Sequence, residues 1–358
     1  MKRGKQGRVR LTLSVLTIIL IGVVVYVARY DIRDAFWLST EANIELLMLL
    51  VPLQALMYLS AGQIYFSYLS SKGLIGDISV LRRMRLALEL NFVKNIIPAG
   101  GVAGVGYMAW RLKSWGLKAG PAALAQLVRY LVILIGSIIL IFIASVRLIM
   151  NGSGWLPVLL GLGLSLVAAI IIVFLAWILK SRKRVEWFSR KTHRVANTLT
   201  KTLTFGQRKR IVTAKQVDVF FLDLHQDFLQ LLQNKRSLIK PLTWAIFYVI
   251  FDTATFFVAF LALGVYVDFG AVLIAQILAS VVGTLLQTPA GGAGFYEATM
   301  TSFFAIIGVP LAPALAATLI ARITMLLGTI VLGWSFYQHA LTTGGDGIID
   351  GKGVKLHD

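Results

Sequence analysis

Six charged side chains stand inside stretches that otherwise carry mostly apolar or small residues: Glu89, Lys94, Arg129, Asp252, Glu297 and Arg322. In hydrocarbon each costs about 2.5–3.5 kcal/mol on insertion scales, so each is a functional candidate. The chemistry open to them is binding and coupling. A guanidinium grips phosphate through two parallel hydrogen bonds and keeps its charge at any physiological pH, which makes Arg129 and Arg322 candidate phosphate binders. An equally good reading pairs Glu297 with one of the two arginines as a buried ion pair. Lys94 and its neighbour Asn95 join the same candidate substrate site, with snorkelling as the structural alternative for Lys94. Asp252 and Glu89 are candidate proton or ion coupling sites. A hydrogen bond to a neighbouring helix explains Asp252 as well, and Glu89 lies five residues from Lys94, a poor spacing for a pair on one helix. Gln63, Gln276 and Gln287 read as hydrogen-bonding links between helices.

Beside these residues lie two matching interruptions, "NIIPAGGVAGVGY" (Asn95–Tyr107) and "LLQTPAGGAGFYE" (Leu285–Glu297), which share Pro-Ala-Gly-Gly. A helix broken inside a bilayer leaves N–H and C=O groups without partners, at several kcal/mol per group unless they line a wet cavity or are buried in protein. Two such breaks therefore imply a central protein-lined cavity. Free N–H groups at Gly100, Gly101, Gly291 and Gly292 would suit an anionic headgroup there. The structural alternative is that these small residues only let helices pack closely.

The elements that must position these groups are membrane helices. The chain is 58% hydrophobic, with long uncharged runs, so lipid surrounds most of the fold. A net charge of +19 would suggest nucleic acid in a soluble protein. Here the basic residues sit in short blocks between apolar runs, as the positive-inside rule produces, and nucleic acid is excluded as a partner. At about 1.5 Å per residue, a hydrocarbon core of roughly 30 Å takes about 20 residues. That ruler predicts six full transmembrane helices near 11–28, 46–69, 121–146, 156–179, 242–264 and 312–338. The first, behind "MKRGKQGRVR", is longer than a signal-peptide core and has no small-x-small cleavage site, so it reads as an uncleaved crossing. Regions 86–116 and 270–308 read as broken, re-entrant helical hairpins. The pre-break segment Leu86–Ile97 would be only about 18 Å long, too short to cross; Ala271–Gln287 is nearly long enough, so the second hairpin remains open to a reading as two full spans.

Placing the charges tests this topology. The five Lys/Arg of the N-terminus, the group around the first hairpin, and the fifteen Lys/Arg against four acids in 180–240 all fall on one face if the spans alternate. Both termini, including the tail 339–358, are then cytoplasmic in a multi-pass protein of the plasma membrane. Pro98 is followed after 23 residues by Pro121 and then Arg129 and Gly136; Pro289 is followed after 24 by Pro313 and then Arg322 and Gly328. Units 46–146 and 242–338 are therefore oppositely oriented, the inverted repeat of membrane transporters. The insert 180–240 carries an amphipathic helix whose stripe Phe220, Leu224, Phe228, Leu231 and Leu232 is expected along the anionic inner leaflet.

Other chemistries find no support. The chain has no cysteine, and four scattered histidines make no metal site, so neither metal nor cofactor is expected. "GGVAGVG" lacks the dinucleotide spacing and follows no strand; P-loop, HExxH and nucleophile-elbow patterns are absent.

"TPAGGAGFYEATMTSFFAIIGVPLAPALAATLIARITMLLGTIVLGW", with its echo from Asn95 to Gly136, resembles the lysylphosphatidylglycerol synthase transmembrane-region family, a flippase-domain family of integral membrane proteins. Its pattern maps onto Pro289, Gly291, Gly292, Gly294, Glu297, Gly308, Val309, Arg322 and Gly328. In the two-domain synthases a soluble aminoacyltransferase domain follows, whereas this chain runs only about twenty residues past its last span, so a stand-alone form is expected. The resemblance implies lipid handling without carrying over lysine transfer.

The residues and the resemblance together point to a lipid translocase, not an enzyme. It would pass the headgroup of an anionic or aminoacylated phospholipid, or of a polyprenyl-linked lipid, between the two hairpins, with a homodimer among the allowed assemblies. The alternatives are a membrane-embedded lipid-modifying transferase, and an ion-coupled small-solute transporter built on Asp252 and Glu297.

Overall fold

The structure, a computed structural model, describes residues 42–75, 79–96, 100–113, 119–152, 155–191, 214–285 and 294–342, together with Tyr26, Arg29, Arg33 and Trp37. Among them the regular structure is helical throughout, with no strand. In chain order it comprises α1 (Leu50–Ser71, entered through a short turn Ile44–Met48), α2 (Val80–Ile96), α3 (Gly100–Lys113), α4 (Ala119–Met150), α5 (Trp155–Leu179), α6 (182–191), α7 (Ala214–Gln233), α8 (Ile239–Ala262), α9 (Phe269–Leu285), α10 (Phe295–Ile306) and α11 (Leu311–Gly328). The last of these runs through a π turn, Thr329–Gly333, into α12 (Trp334–Thr342).

Five stretches are long and apolar enough to cross a membrane: Ile44–Ser71, Leu124–Met150, Trp155–Leu179, Lys235–Ala262 and Leu311–Thr342. They coincide with five of the six expected crossings; the first, 11–28, lies outside the described residues except for Tyr26. α5 is apolar all round and leaves Leu159, Leu166, Val173 and Phe174 exposed, the surface of a helix that faces lipid. α1 and α8 run through the middle of the molecule, their inward faces shared between the main apolar clusters.

Contacts between helix ends sort them onto two faces. Asn43 N donates to Ala262 O at 2.7 Å, and Arg147 and Asn151 both reach Asp268, so these ends lie together. On the other face Arg85 meets His339 Nδ1 at 3.0 Å, and His225 Nδ1 lies 2.6 Å from Leu179 O. α2 begins at this second face and α9 at the first.

α2 starts at Val80, six residues earlier than expected, and at about 26 Å is longer than the expected half-helix. α3 opens at Gly100. The two helices lie antiparallel, because Glu89, seven residues before the end of α2, touches Tyr107, seven residues into α3. Pro98, Ala99 and the second interruption, Pro289 to Gly292, lie outside the described residues. The last span comes so close to α2 that a Cβ on Gly333 would sit 2.7 Å from Phe92 Cβ; only glycine permits that approach.

One expectation is corrected. The apolar stripe of α7 does not lie on a membrane surface: Leu224, Phe228 and Leu231 are buried in a core with Ile75, Leu179 and Val185. Asp218 accepts from Ser189 Oγ, tying α7 to α6. The protein itself offers the apolar surface that the sequence reading assigned to lipid. Leu232 remains exposed, and the side chain of Phe220 lies outside the described residues.

Candidate functional site

A narrow cleft, partly open to its surroundings, lies where α1, α2, α3, α4 and α8 meet. Helical spacing brings its polar groups together: Tyr58 and Tyr65 from α1, Asn91 and Lys94 one turn apart on α2, Gln126, Arg129 and Tyr130 on α4, and Tyr248 from α8. Gly104 of α3 forms part of the wall, and a Cβ there would meet nothing within 4 Å. Two cations line this space and, among the described residues, no carboxylate does.

Arg129 is held by rings. Its guanidinium carbon lies 5.3 Å from the Tyr65 ring centroid, 5.6 Å from that of Tyr130 and 5.9 Å from that of Tyr248. Its Nε is buried without a hydrogen-bond partner. Cation–π contacts steady a guanidinium without neutralising it, so the charge stays available to a ligand. Lys94 is among the residues that line this cleft, and its side chain is exposed. Asp252 stands within electrostatic reach of Lys94 and accepts a hydrogen bond from Gln276 Nε2, while Gln276 Oε1 accepts from Thr253 Oγ1 at 2.7 Å. Asp252 thus makes the interhelical hydrogen bond that the sequence allowed. Asn95 lies on the last turn of α2, with its side chain outside the described residues.

The second intramembrane arginine is placed differently. Arg322 donates from one terminal nitrogen to Glu297 Oε1, and its guanidinium carbon lies 4.4 Å from the Tyr296 ring centroid. Glu297 Oε2 accepts from Gly294 N at 2.7 Å. Gly294 has φ +85°, the left-handed conformation from which the chain turns into α10, and the Glu297 carboxylate caps the positive end of that helix. Of the two readings open to Arg322, the structure adopts the ion pair. The sequence carries the same contrast: eight residues after Pro289 stands Glu297, and eight after Pro98 stands Gly106.

Glu89 is also an ion-pair residue. It is fully buried, accepts from Arg85 Nε at 2.8 Å and from Arg111 Nε and the Tyr107 hydroxyl at 2.9 Å each, and so clamps α2 to α3. Gln63 accepts from Arg83 at 2.8 Å, the interhelical link expected of it. Gln287, Gly291 and Gly292 lie outside the described residues; Gly100 and Gly101 form the first turn of α3.

Several contributors were not picked out from the sequence. Arg111 was passed over although it interrupts an apolar segment, and Gln126 sits one turn before Arg129. The tyrosine cage draws on three helices and leaves no local signal. Below the cleft, Tyr58 and Asn91 both bond Thr329 Oγ1, at 2.5 and 3.0 Å, at the start of the π turn. Irregular turns of this kind recur at functional sites.

Apolar helices of membrane-spanning length around a polar, cation-lined cleft define a multi-span α-helical integral membrane protein. The model of the family described as the lysylphosphatidylglycerol synthase TM region matches residues 10–333, and the chain belongs to that family. Among the curated proteins compared with it, none matches.

Proposed function

We propose that this protein is a lipid translocase that holds the phosphate of a lipid headgroup between Lys94 and Arg129 while the hydrocarbon chains stay in the bilayer. One observation carries the reading: the cleft presents two cations and, among the described residues, no carboxylate. Among the described residues Arg129 has no carboxylate against it, and an anionic ligand offsets the cost of its uncompensated charge. The guanidinium supplies two parallel hydrogen bonds to phosphate oxygens and the ammonium a mobile point charge. Membership of the family supports a lipid as the ligand.

The alternating-access element of the reading is an inverted repeat. α2–α3 and α9–α10 form its two hairpins, entering from opposite faces and re-entrant in the membrane. The opposite starting faces of α2 and α9, and the matched prolines and arginines, support it. The basic segments orient the face of Arg85 and His339 toward the cytoplasm of a plasma membrane, with both termini there. In this arrangement Glu297 occupies Arg322 while Arg129 is open, and rocking of one repeat against the other would turn the Arg129 site from one face toward the other.

Liposomes reconstituted with the purified protein and a headgroup-labelled phospholipid test the proposal. Wild-type protein is expected to expose inner-leaflet label to a membrane-impermeant quencher, and the Lys94→Ala/Arg129→Ala variant to lose that exposure. Equal rates for the two would overturn the reading, as would uptake of a small anion with no movement of lipid.

A further inference from the structure

The polar groups of the cleft leave two buried atoms unmatched, Arg129 Nε and the Gln126 amide oxygen. Gln126 is only 4% exposed and donates from Nε2 to the Tyr130 hydroxyl at 3.2 Å, but its Oε1 has no hydrogen-bond partner. The Tyr65 hydroxyl also interacts with the Gln126 amide, and Oε1 still has no donor. A buried acceptor left without a donor is costly, so an acceptor kept at a binding cleft points to a donor on what binds there. The orientation of the amide follows from its surroundings. Lys94 and Arg129 make the cleft positive, and a positive field favours the carbonyl oxygen, not the NH₂ group, facing into it.

We infer that Gln126 is a specificity-determining residue, accepting a hydrogen bond from an O–H or N–H of the headgroup whose phosphate lies on Lys94 and Arg129. The inference rests on the lipid-binding reading above and names the ligand class more narrowly: a phosphodiester lipid with a hydroxyl or protonated amine beyond its phosphate. Gln126 is one helical turn from Arg129, so one headgroup can span both. A headgroup capped by methyl groups offers the same phosphate but leaves Oε1 unpaired, the arrangement by which buried polar groups discriminate most strongly.

Two lipid pairs matched in charge isolate the donor: phosphatidylethanolamine against phosphatidylcholine, and phosphatidylglycerol against phosphatidylmethanol. The purified full-length chain is equilibrated with each equimolar pair, and bound lipid is read by native mass spectrometry. Wild-type protein is expected to favour the donor-bearing member about fivefold, as one net hydrogen bond predicts. Gln126→Leu is expected to bring the ratio to one, and Gln126→Asn, which keeps an acceptor, to retain part of it. The ratio is internal to each sample, so partial unfolding does not move it. A preference in one pair alone, lost in Gln126→Leu, supports the inference and selects between hydroxyl and amine. A wild-type ratio of one in both pairs, or an unchanged ratio in Gln126→Leu, overturns it while leaving phosphate binding intact. Failure of the wild type to bind any of the four overturns the lipid-binding reading and the inference with it.

Discussion

Arg129 and Arg322 occupy matching places in the two halves of the chain, and their surroundings differ in one respect that decides what each can do. Both stack on tyrosine, but only Arg322 has an acid, Glu297, against it. A guanidinium paired with a carboxylate serves as a fastener, here fixing α10 to α11. A guanidinium caged by rings keeps its charge for something else. An arginine follows each Pro-Ala-Gly-Gly stretch, but the acid stands after the second alone: eight residues after Pro289 is Glu297, and eight after Pro98 is Gly106. The Glu89 cluster strengthens the point: where these helices bury charge for structure, they match it, with Arg85, Arg111 and Tyr107 around one carboxylate.

The largest expected effect breaks the closed site. Glu297→Ala leaves Arg322 without its carboxylate and Gly294 N without its acceptor, and is expected to cost about 3–5 kcal/mol, the range for removing one partner of a buried pair. Thermal unfolding in detergent should show it as a large drop in midpoint, partly restored in Glu297→Gln/Arg322→Met. At the open site the outcome is reversed. Arg129→Ala removes no ion pair, so its midpoint should stay close to wild type. Retention of phospholipid through purification should fall about 10- to 100-fold, the worth of a charge-assisted, two-point contact.

Gly104→Asp sharpens the comparison by giving the first half the acid it lacks. The position opens onto the cleft with room for a side chain, and lipid retention is expected to fall about tenfold as Arg129 or Lys94 acquires an internal partner. An unchanged lipid content would show that charge matching is not what separates the sites. Arg129→Lys is the mildest change. It keeps the charge and loses the planar fork and its stacking, so retention should drop only a few-fold.

The sequence yielded the parts that repeat or accumulate. Five spans were readable because about 20 apolar residues in a row leave a lipid bilayer few other solutions. The matched Pro-Ala-Gly-Gly, proline and arginine positions were readable because the chain has only 8 prolines and an arginine inside an apolar span is rare. Partner choice was harder. Glu297 and Arg322 are 25 residues apart, and sequence alone left Arg322 between phosphate and Glu297. Glu89 pairs not with Lys94 but with Arg85, four residues back at a legible helical spacing, and with Arg111 across the hairpin, which no local spacing marks. The ring cage around Arg129 depends on how α1, α4 and α8 pack, which no local pattern encodes. The stripe of α7 was recognised but given the wrong partner, because an amphipathic face looks the same whether protein or lipid covers it.

The central claim is that a lipid phosphate sits on Arg129 and not on Arg322. Solid-state NMR of the nitrogen-labelled protein in phospholipid bilayers tests it directly, through dipolar coupling between guanidinium nitrogens and lipid phosphorus. The account predicts that the coupled signal lost in Arg129→Lys is one at hydrogen-bond contact with phosphorus, and that Glu297→Gln leaves this signal in place. Coupling to phosphorus that is unchanged in Arg129→Lys, and removed instead by Arg322→Lys, would contradict it.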